Sequence, residues 1–254
     1  TETAEMDFTD KIEIRGYRPK NDPHPLQINK AVDLLVKAER PIILAGGGVI
    51  ASNASLELKA LAELLLAPVS TTLMGKGCFS ETHPLSLGMV GMHGTIASNQ
   101  LLPEVDVLLA VGMRFSDRTT GKFDEFCPGA KIIHIDIDSA EIGKNVKIDV
   151  PIVADARKAL QEIHNILVKR YEKLDRSPWL ERAQNLKSQL DEKTNSDSEE
   201  IKPPRLLAEI RKILPENAII TTEVGQNQMW AALYLKAYKP VSYTHLRAHE
   251  TVLD

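Results

Sequence analysis

The sequence predicts an α/β protein built on a doubly wound parallel sheet. Three observations carry that reading. Short apolar runs recur, such as residues 41–45 (PIILA) and 105–111 (VDVLLAV), and suit strands buried on both faces. Stretches with apolar residues at i, i+3, i+4 and i+7 lie between them, the spacing of one helical stripe. Glycine clusters follow the apolar runs directly. Strands alternating with helices imply a parallel sheet covered on both sides.

The elements follow in order. Residues 1–25 are polar, broken by Pro19, Pro23 and Pro25, and read as a linker. Ile28, Ala31, Val32 and Leu35 form a helical stripe, with Pro25 suited to its first turn. Arg40-Pro41 ends it, and 41–45 is the first strand. Ser52 or Asn53 can cap the next helix, which carries Leu58, Leu61, Leu64 and Leu65. Strand 69–73, a short helix 95–102, and strands 105–111, 131–137 and 148–153 come next. Ala156, Leu160, Ile163 and Leu167 mark a helix to about Tyr171. Residues 26–171 thus read as one domain. Residues 172–204 are polar and read as a solvated linker, with Trp179, Leu180 and Leu186 anchoring one helical stretch. After Pro203-Pro204, helix 205–214, strand 218–224 and helix 226–236 make one βα unit of a second α/β domain, 205–241.

Composition excludes several classes. The 254 residues predict one or two domains at about 150 residues each. The net charge of -4 lacks the basic excess of a generic nucleic-acid binder. No apolar run nears the ~20 residues of a membrane span, and no secretory signal is visible. Cys78 and Cys127 have no CxxC or metal spacing and fit a reduced, cytoplasmic protein. The scattered His residues form no metal-ligand cluster, so no metal site is expected. The chain begins with Thr1, which is read as a start lying upstream.

Ligands of open α/β sheets bind at the carboxyl ends of the strands. There lie Gly46-Gly47-Gly48, Met74-Gly75-Lys76-Gly77, the run 87–94 (LGMVGMHG), the run 112–121 (GMRFSDRTTG), and Asp136-Ile137-Asp138. Any one of these loops is explained by a tight turn. Several on one edge suggest backbone N–H groups approaching a long phosphate-bearing ligand. The pattern is not G-x-G-x-x-G, so a nicotinamide site is poorly supported. Arg114, Asp117 and Arg118 are either an anion-binding cluster or a surface ion-pair loop. Lys76 meets phosphate or is solvated. His93 by itself reads as a hydrogen-bonding histidine. Gly225-Gln226-Asn227-Gln228 opens a helix after a strand, a place suited to diphosphate or to ordinary capping.

The run GMRFSDRTTG resembles the GxRFxDRxTG segment of the acetolactate (acetohydroxyacid) synthase catalytic subunits, a thiamine-diphosphate-dependent family. PIILAGGG (41–48), TTLMGKG (71–77), GMVGMHG (88–94), HIDIDSAEIGK (134–144) and GQNQMWAA (225–232) are similar to the same subunits, in the same order. The resemblance implies a Rossmann-like central domain and decarboxylating condensation of two pyruvates, or of pyruvate with 2-oxobutyrate, in branched-chain amino-acid synthesis. It implies FAD, thiamine diphosphate and Mg²⁺ as cofactors, 2-oxo acids as substrates, a homodimer or higher assembly, and a regulatory small subunit. It assigns FAD contacts to Gly46, Gly47, Gly48, Thr72, Leu73, Met74, Gly91, Met92, His93, Gly94, Gly112, Arg114, Asp117, Arg118, Asp136, Ile137 and Asp155. Arg118 also matches an arginine near the substrate channel. Gly225, Gln226 and Asn227 would lie by thiamine diphosphate; the family often has His where Asn227 stands.

Two departures accompany the resemblance. The family's first domain, with its activating glutamate, and the GDG…N segment that binds Mg²⁺ are not among these residues. Residues 242–254 (SYTHLRAHETVLD) do not follow the family and read as a non-native tail. The leading expectation is a fragment of such a synthase, inactive by itself. The alternatives are a non-catalytic flavin- or nucleotide-binding module, and another thiamine-diphosphate enzyme such as a pyruvate oxidase or glyoxylate carboligase, which RFSDRTTG argues against.

Overall fold

The computed structural model describes residues 21–170, 175–194 and 201–246. Most of the linker reading of 1–25, the polar stretch 195–200 and the last residues, 247–254, fall outside them.

Helix α1 (Pro25–Lys37) opens the described fold. Pro25 holds its first helical position, and the His24 side chain accepts a hydrogen bond from the Leu26 N–H at 3.2 Å. Strand β1 (Pro41–Ala45) is buried along its whole length. A single-turn helix α2 (Gly47–Ala51) and helix α3 (Ser55–Leu65) follow. Ser52 and Asn53 do not cap α3, contrary to expectation. Ser52 closes α2, its hydroxyl donating to Gly48 O at 2.8 Å, and Asn53 turns the chain at φ 52°. Ala54 precedes α3 without a side-chain cap.

Strand β2 (Val69–Thr71) is shorter than the apolar pattern suggests, because residues 73–75 tighten into a 3₁₀ turn. Strand β3 (Ser86–Met89) was not foreseen; Gly88 and a length of four residues hide it inside what reads as a glycine loop. Helix α4 (Ile96–Leu101) is capped by Thr95, whose hydroxyl accepts from the Ser98 N–H at 3.1 Å. Strand β4 (Val107–Val111), the short helix α5 (Asp117–Thr120), β5 (Lys131–Asp136), β6 (Val150–Val153) and α6 (Ala156–Arg170) complete the alternation.

The six strands form one all-parallel sheet in the order β3-β2-β1-β4-β5-β6. The strand alternation sorts the core onto two faces. Ile43, Val69, Leu109, Ile133 and Ile152 pack with the stripes of α1, α3 and α6. Ile42, Leu44, Leu108, Ala110 and Ile132 face the other way, against α4.

That second face is finished by α7 (Ser177–Thr194), the helical stretch expected around Trp179, Leu180 and Leu186. Trp179, Ala183 and Leu186 are buried in the core, and the Trp179 indole N–H donates to Pro41 O at 2.9 Å. The polar face of α7 dominates its composition and conceals a narrow apolar stripe. Arg176, just before it, is buried and donates to Leu35 O and Ala38 O at the end of α1 and to Leu65 O at the end of α3.

Helix α8 (Pro203–Ile213), β7 (Ile220–Glu223) and α9 (Gln226–Tyr234) form the expected βα unit. It gains a strand: β8 (Tyr243–Leu246) pairs in parallel with β7, from Ile220 opposite Tyr243 to Glu223 opposite Leu246. The first residues of the supposed tail are therefore part of a βαβ unit. No described helix is long and apolar enough to cross a membrane.

Candidate functional site

The strand order reverses between β1 and β4, and that is where a crevice opens at the carboxyl edge of such a sheet. The loops after these strands touch backbone to backbone. Gly48 N–H donates to Gly112 O at 2.9 Å, and Gly46 N–H donates to Val111 O at 2.9 Å. A Cβ on Gly48 would stand 2.6 Å from Gly112 Cα, and one on Gly112 would meet Gly48 Cα at the same distance. Gly112 also sits at φ 55°, which a side chain disfavours. The glycines are required by this crossing, before any ligand is considered.

Above the crossing lies a cavity of about 800 Å³, within the size range of small-molecule sites. Of the residues singled out in the sequence, Gly47, Gly48, Thr72, Leu73, Met74, Gly112, Arg114, Arg118 and Asp136 line it. Met113, Ser116 and Thr119, from the same run 112–121, join them, as does Gln228 from the loop opening the second unit's helix; Val224 was not singled out, and only tertiary structure brings it and Gln228 here. Ile137 and Asp155 line a smaller cavity of about 160 Å³ that shares Gly48, Gly112 and Asp136 with the first, so Asp136 stands where the two join. Gly91 and Met92 face a separate hollow of about 350 Å³. Gly46 is buried beneath the crossing. His93, Gly94 and Asp117 lie outside these linings, as do Gly225, Gln226 and Asn227, which are exposed at the start of α9.

The loop of residues 90–94 is fixed from two sides. The Asn99 side-chain amide accepts from Gly91 N–H at 3.0 Å and donates to Gly91 O at 2.8 Å. Met92 N–H donates to Arg118 O at 3.0 Å, which ties this loop to α5. The Asp117 carboxylate accepts from the Arg118 N–H at 2.8 Å. Arg114 and Arg118 are exposed, and neither guanidinium is paired with a carboxylate among the described residues. The expected alternative of a surface ion-pair loop therefore does not describe them. Two unpaired guanidiniums beside a glycine-lined crevice can take phosphate or carboxylate. Lys76 departs from both of its expected roles: it is buried, with its ammonium 2.6 Å from the Glu81 carboxylate.

Under the cavity, His134 is wholly buried and stacks edge-on with Phe115 at 5.0 Å. Its Nε2 is 3.0 Å from Met113 O. A carbonyl can only accept, so Nε2 carries the proton, and Nδ1 is left as a buried acceptor without a partner. Burial holds the His134 pKa below its ordinary value, against the opposing pull of the Met113 carbonyl, Asp136 and Glu141. Burial likewise holds the Asp136 carboxyl above the usual range, opposed by the N–H of Asp138 and by His134.

These shifts predict opposite pH dependences. Below about pH 6.5 the unfolded chain protonates His134 and the folded chain does not, so stability falls as pH drops. Asp136 takes up its proton first in the folded state, so its contribution grows as pH drops. Comparing the parent with His134→Gln isolates the histidine. From pH 7.5 to 5.5, urea unfolding of the parent is expected to lose more stability than the variant, by up to about 1.4 kcal/mol per pH unit. Equal losses would contradict a neutral, proton-donating His134.

Among the described residues no group of His, Cys, Asp and Glu is placed to hold a metal ion. Cys78 and Cys127 are free and buried, and burial pushes both thiols up to about 12, so neither is a poised nucleophile.

Comparison with known proteins identifies the family. Residues 28–163 match the family model of the thiamine pyrophosphate enzyme central domain. The chain is 54% identical to a probable acetolactate synthase large subunit of Methanocaldococcus jannaschii, over 92% of this chain and 40% of that protein. It is 50% identical to its counterpart in Methanococcus aeolicus, over 92% and 41%. It is 38% identical to the acetolactate synthase isozyme 3 large subunit of Escherichia coli, again over 92% and 41%. The chain thus spans about two fifths of the length of the curated relatives it matches.

Proposed function

We propose a function from the premise that the chain belongs to the thiamine pyrophosphate enzymes, whose central-domain family it matches. It is the flavin-holding part of an acetolactate synthase large subunit, a carboligase that joins two pyruvates, or pyruvate and 2-oxobutyrate, with loss of carbon dioxide for isoleucine and valine synthesis. Named relatives at up to 54% identity support this reading. The proposal extends to a homo-oligomer, a regulatory small subunit, and a cytoplasmic site in keeping with two unpaired cysteines.

The single observation that carries the flavin assignment is the Gly48–Gly112 crossing at the switch point, with the cavity above it. The residues present fit FAD in three respects. Backbone without side chains lets a diphosphate come close. Arg114 and Arg118 offer unpaired guanidiniums for its charge. Asp136, at the junction of the two cavities, can accept from a ribose hydroxyl. In this reading Gly46 supports the crossing, Thr72, Leu73, Met74, Ile137 and Asp155 bound the ligand along the strand ends, and Gly91–Gly94 and Asp117 set the wall that carries Arg118. Arg118 also meets the 2-oxo acid carboxylate at the channel mouth.

Thiamine diphosphate, held with Mg²⁺, supplies the electron sink for decarboxylation. In this reading Gly225, Gln226 and Asn227, at the start of α9, approach its diphosphate, as a helix N-terminus favours. Asn227 can donate a hydrogen bond there but cannot titrate. The 254 residues by themselves are expected to bind flavin and to form no acetolactate, because they hold neither the activating glutamate nor the metal-binding segment that the resemblance assigns. The test incubates the purified chain with FAD, thiamine diphosphate, Mg²⁺ and pyruvate, then assays acetolactate and the flavin that co-elutes on gel filtration. Acetolactate turnover by this chain would overturn the assignment of catalysis to other residues. A chain that elutes without flavin after this incubation would overturn the flavin reading.

A further inference from the structure

The C-terminal unit reaches the cavity through Val224 and Gln228, so its placement on the α/β domain shapes the site. The loop of residues 72–81 holds that placement. Its first part, Thr72–Met74, lines the cavity, and Leu73 also packs against the Ala231, Leu235, Ala237 and Tyr243 cluster of the C-terminal unit. Its later part carries the Lys76–Glu81 pair, with side chains 0% and 9% exposed. The Lys76 ammonium contacts both Glu81 carboxylate oxygens, at 2.6 and 2.7 Å, and donates to Ala232 O in the last turn of α9 at 2.9 Å. That carbonyl belongs to a helix C-terminus, where a cation is favoured and a partner is needed. Glu81 answers with a reciprocal pair just beyond α9: its carboxylate accepts from Ala237 N–H at 2.7 Å, and its own N–H donates to Ala237 O at 3.1 Å. The Tyr243 ring of β8 lies 5.6 Å from the Lys76 ammonium. At Gly77 the backbones come so close that a Cβ would stand 2.5 Å from Lys239 O.

We propose that the Lys76–Glu81 pair is a positioning device that clamps the C-terminal end of α9 and so seats Val224 and Gln228 on the ligand cavity. The clamp holds one end of a nine-residue helix whose other end faces the site. A buried lysine is rare unless paired, and this one spends its bonds on a carboxylate of its own loop and a carbonyl of the other unit. Lys76 and Glu81 line none of the cavities described above. Their effect passes through α9. The identity of the ligand rests on the flavin reading above; the clamp does not.

The test uses the full 254-residue chain with Lys76→Met, Glu81→Gln and the double variant. Two quantities are read: the FAD dissociation constant, and hydrogen exchange of peptides from α9 compared with peptides from β1 and β4. Each single variant is expected to speed exchange in α9 and to raise the FAD dissociation constant about tenfold, with β1 and β4 unchanged. The double variant should weaken binding by less than the two single effects combined, because it leaves no unpaired buried charge. Exchange in α9 within twofold of the parent in both single variants overturns the proposal. So does exchange that rises equally in β1 and β4, which would make the pair a general stabiliser. If the parent binds no FAD, the flavin reading fails, and the exchange pattern alone still judges the clamp.

Discussion

Replacing Gly112 by valine is expected to destabilise the chain by about 4 kcal/mol and to abolish ligand binding in the crevice. The backbone there has φ 55°, a strained conformation for a β-branched residue. The new Cβ would stand 2.6 Å from Gly48 Cα, 2.8 Å from Gly48 C and 2.9 Å from Val49 N, all of them backbone atoms that cannot swing aside. Strain and overpacking each cost roughly 1–3 kcal/mol, and here they act together. Gly121→Ala is the control. Gly121 also has positive φ, at 65°, but a Cβ there would meet nothing within 4 Å. Its cost should stay near the roughly 1–2 kcal/mol of a left-handed residue alone. Urea unfolding of both variants decides the matter. Equal effects would mean that the β1 and β4 loops do not cross as described.

Arg176→Ala is expected to cost about 3–5 kcal/mol, the second large effect. Its guanidinium satisfies carbonyls at the ends of both α1 and α3, and an alanine would leave three buried acceptors unpaired. Burial lowers the Arg176 pKa, opposed by Asp106, yet a guanidinium stays charged, so the bonds remain charge-assisted. Arg176→Lys should recover only part of the loss, since one ammonium cannot present a planar fork to three carbonyls. A urea midpoint for Arg176→Ala close to that of the parent would show that α7 packs without this anchor.

The central sheet is legible in the sequence because its signal is local. β1 and β4 are continuous apolar runs, β5 carries Ile132, Ile133 and Ile135, and α1, α3 and α6 carry clear stripes on one face. β3 is not legible, since four residues containing a glycine carry little periodic signal. The role of α7 is concealed because a helix that covers one end of a sheet needs only Trp179, Ala183 and Leu186 inside, among many charged residues. The glycine loops point to the crevice, but the reason differs in part from the expected one: Gly46 and Gly48 serve the crossing of two loops as much as any ligand. Val224, Gln228 and the Lys76–Glu81 clamp depend on pairings across more than 150 residues of sequence, as in the Lys76–Ala232 contact, which no local pattern encodes.

One measurement bears most directly on the flavin site: titration of the purified chain with FAD, ADP and riboflavin, followed by calorimetry and flavin fluorescence. The glycine crossing, the two unpaired arginines and Asp136 together predict that FAD binds most tightly, that ADP binds measurably by its diphosphate and ribose, and that riboflavin, which lacks both features, binds weakest. Arg114→Ala with Arg118→Ala should weaken FAD and ADP alike and leave riboflavin unchanged. Riboflavin binding as tightly as FAD, or none of the three binding up to about millimolar concentration, where binding free energy is only about -4 kcal/mol, would contradict that site.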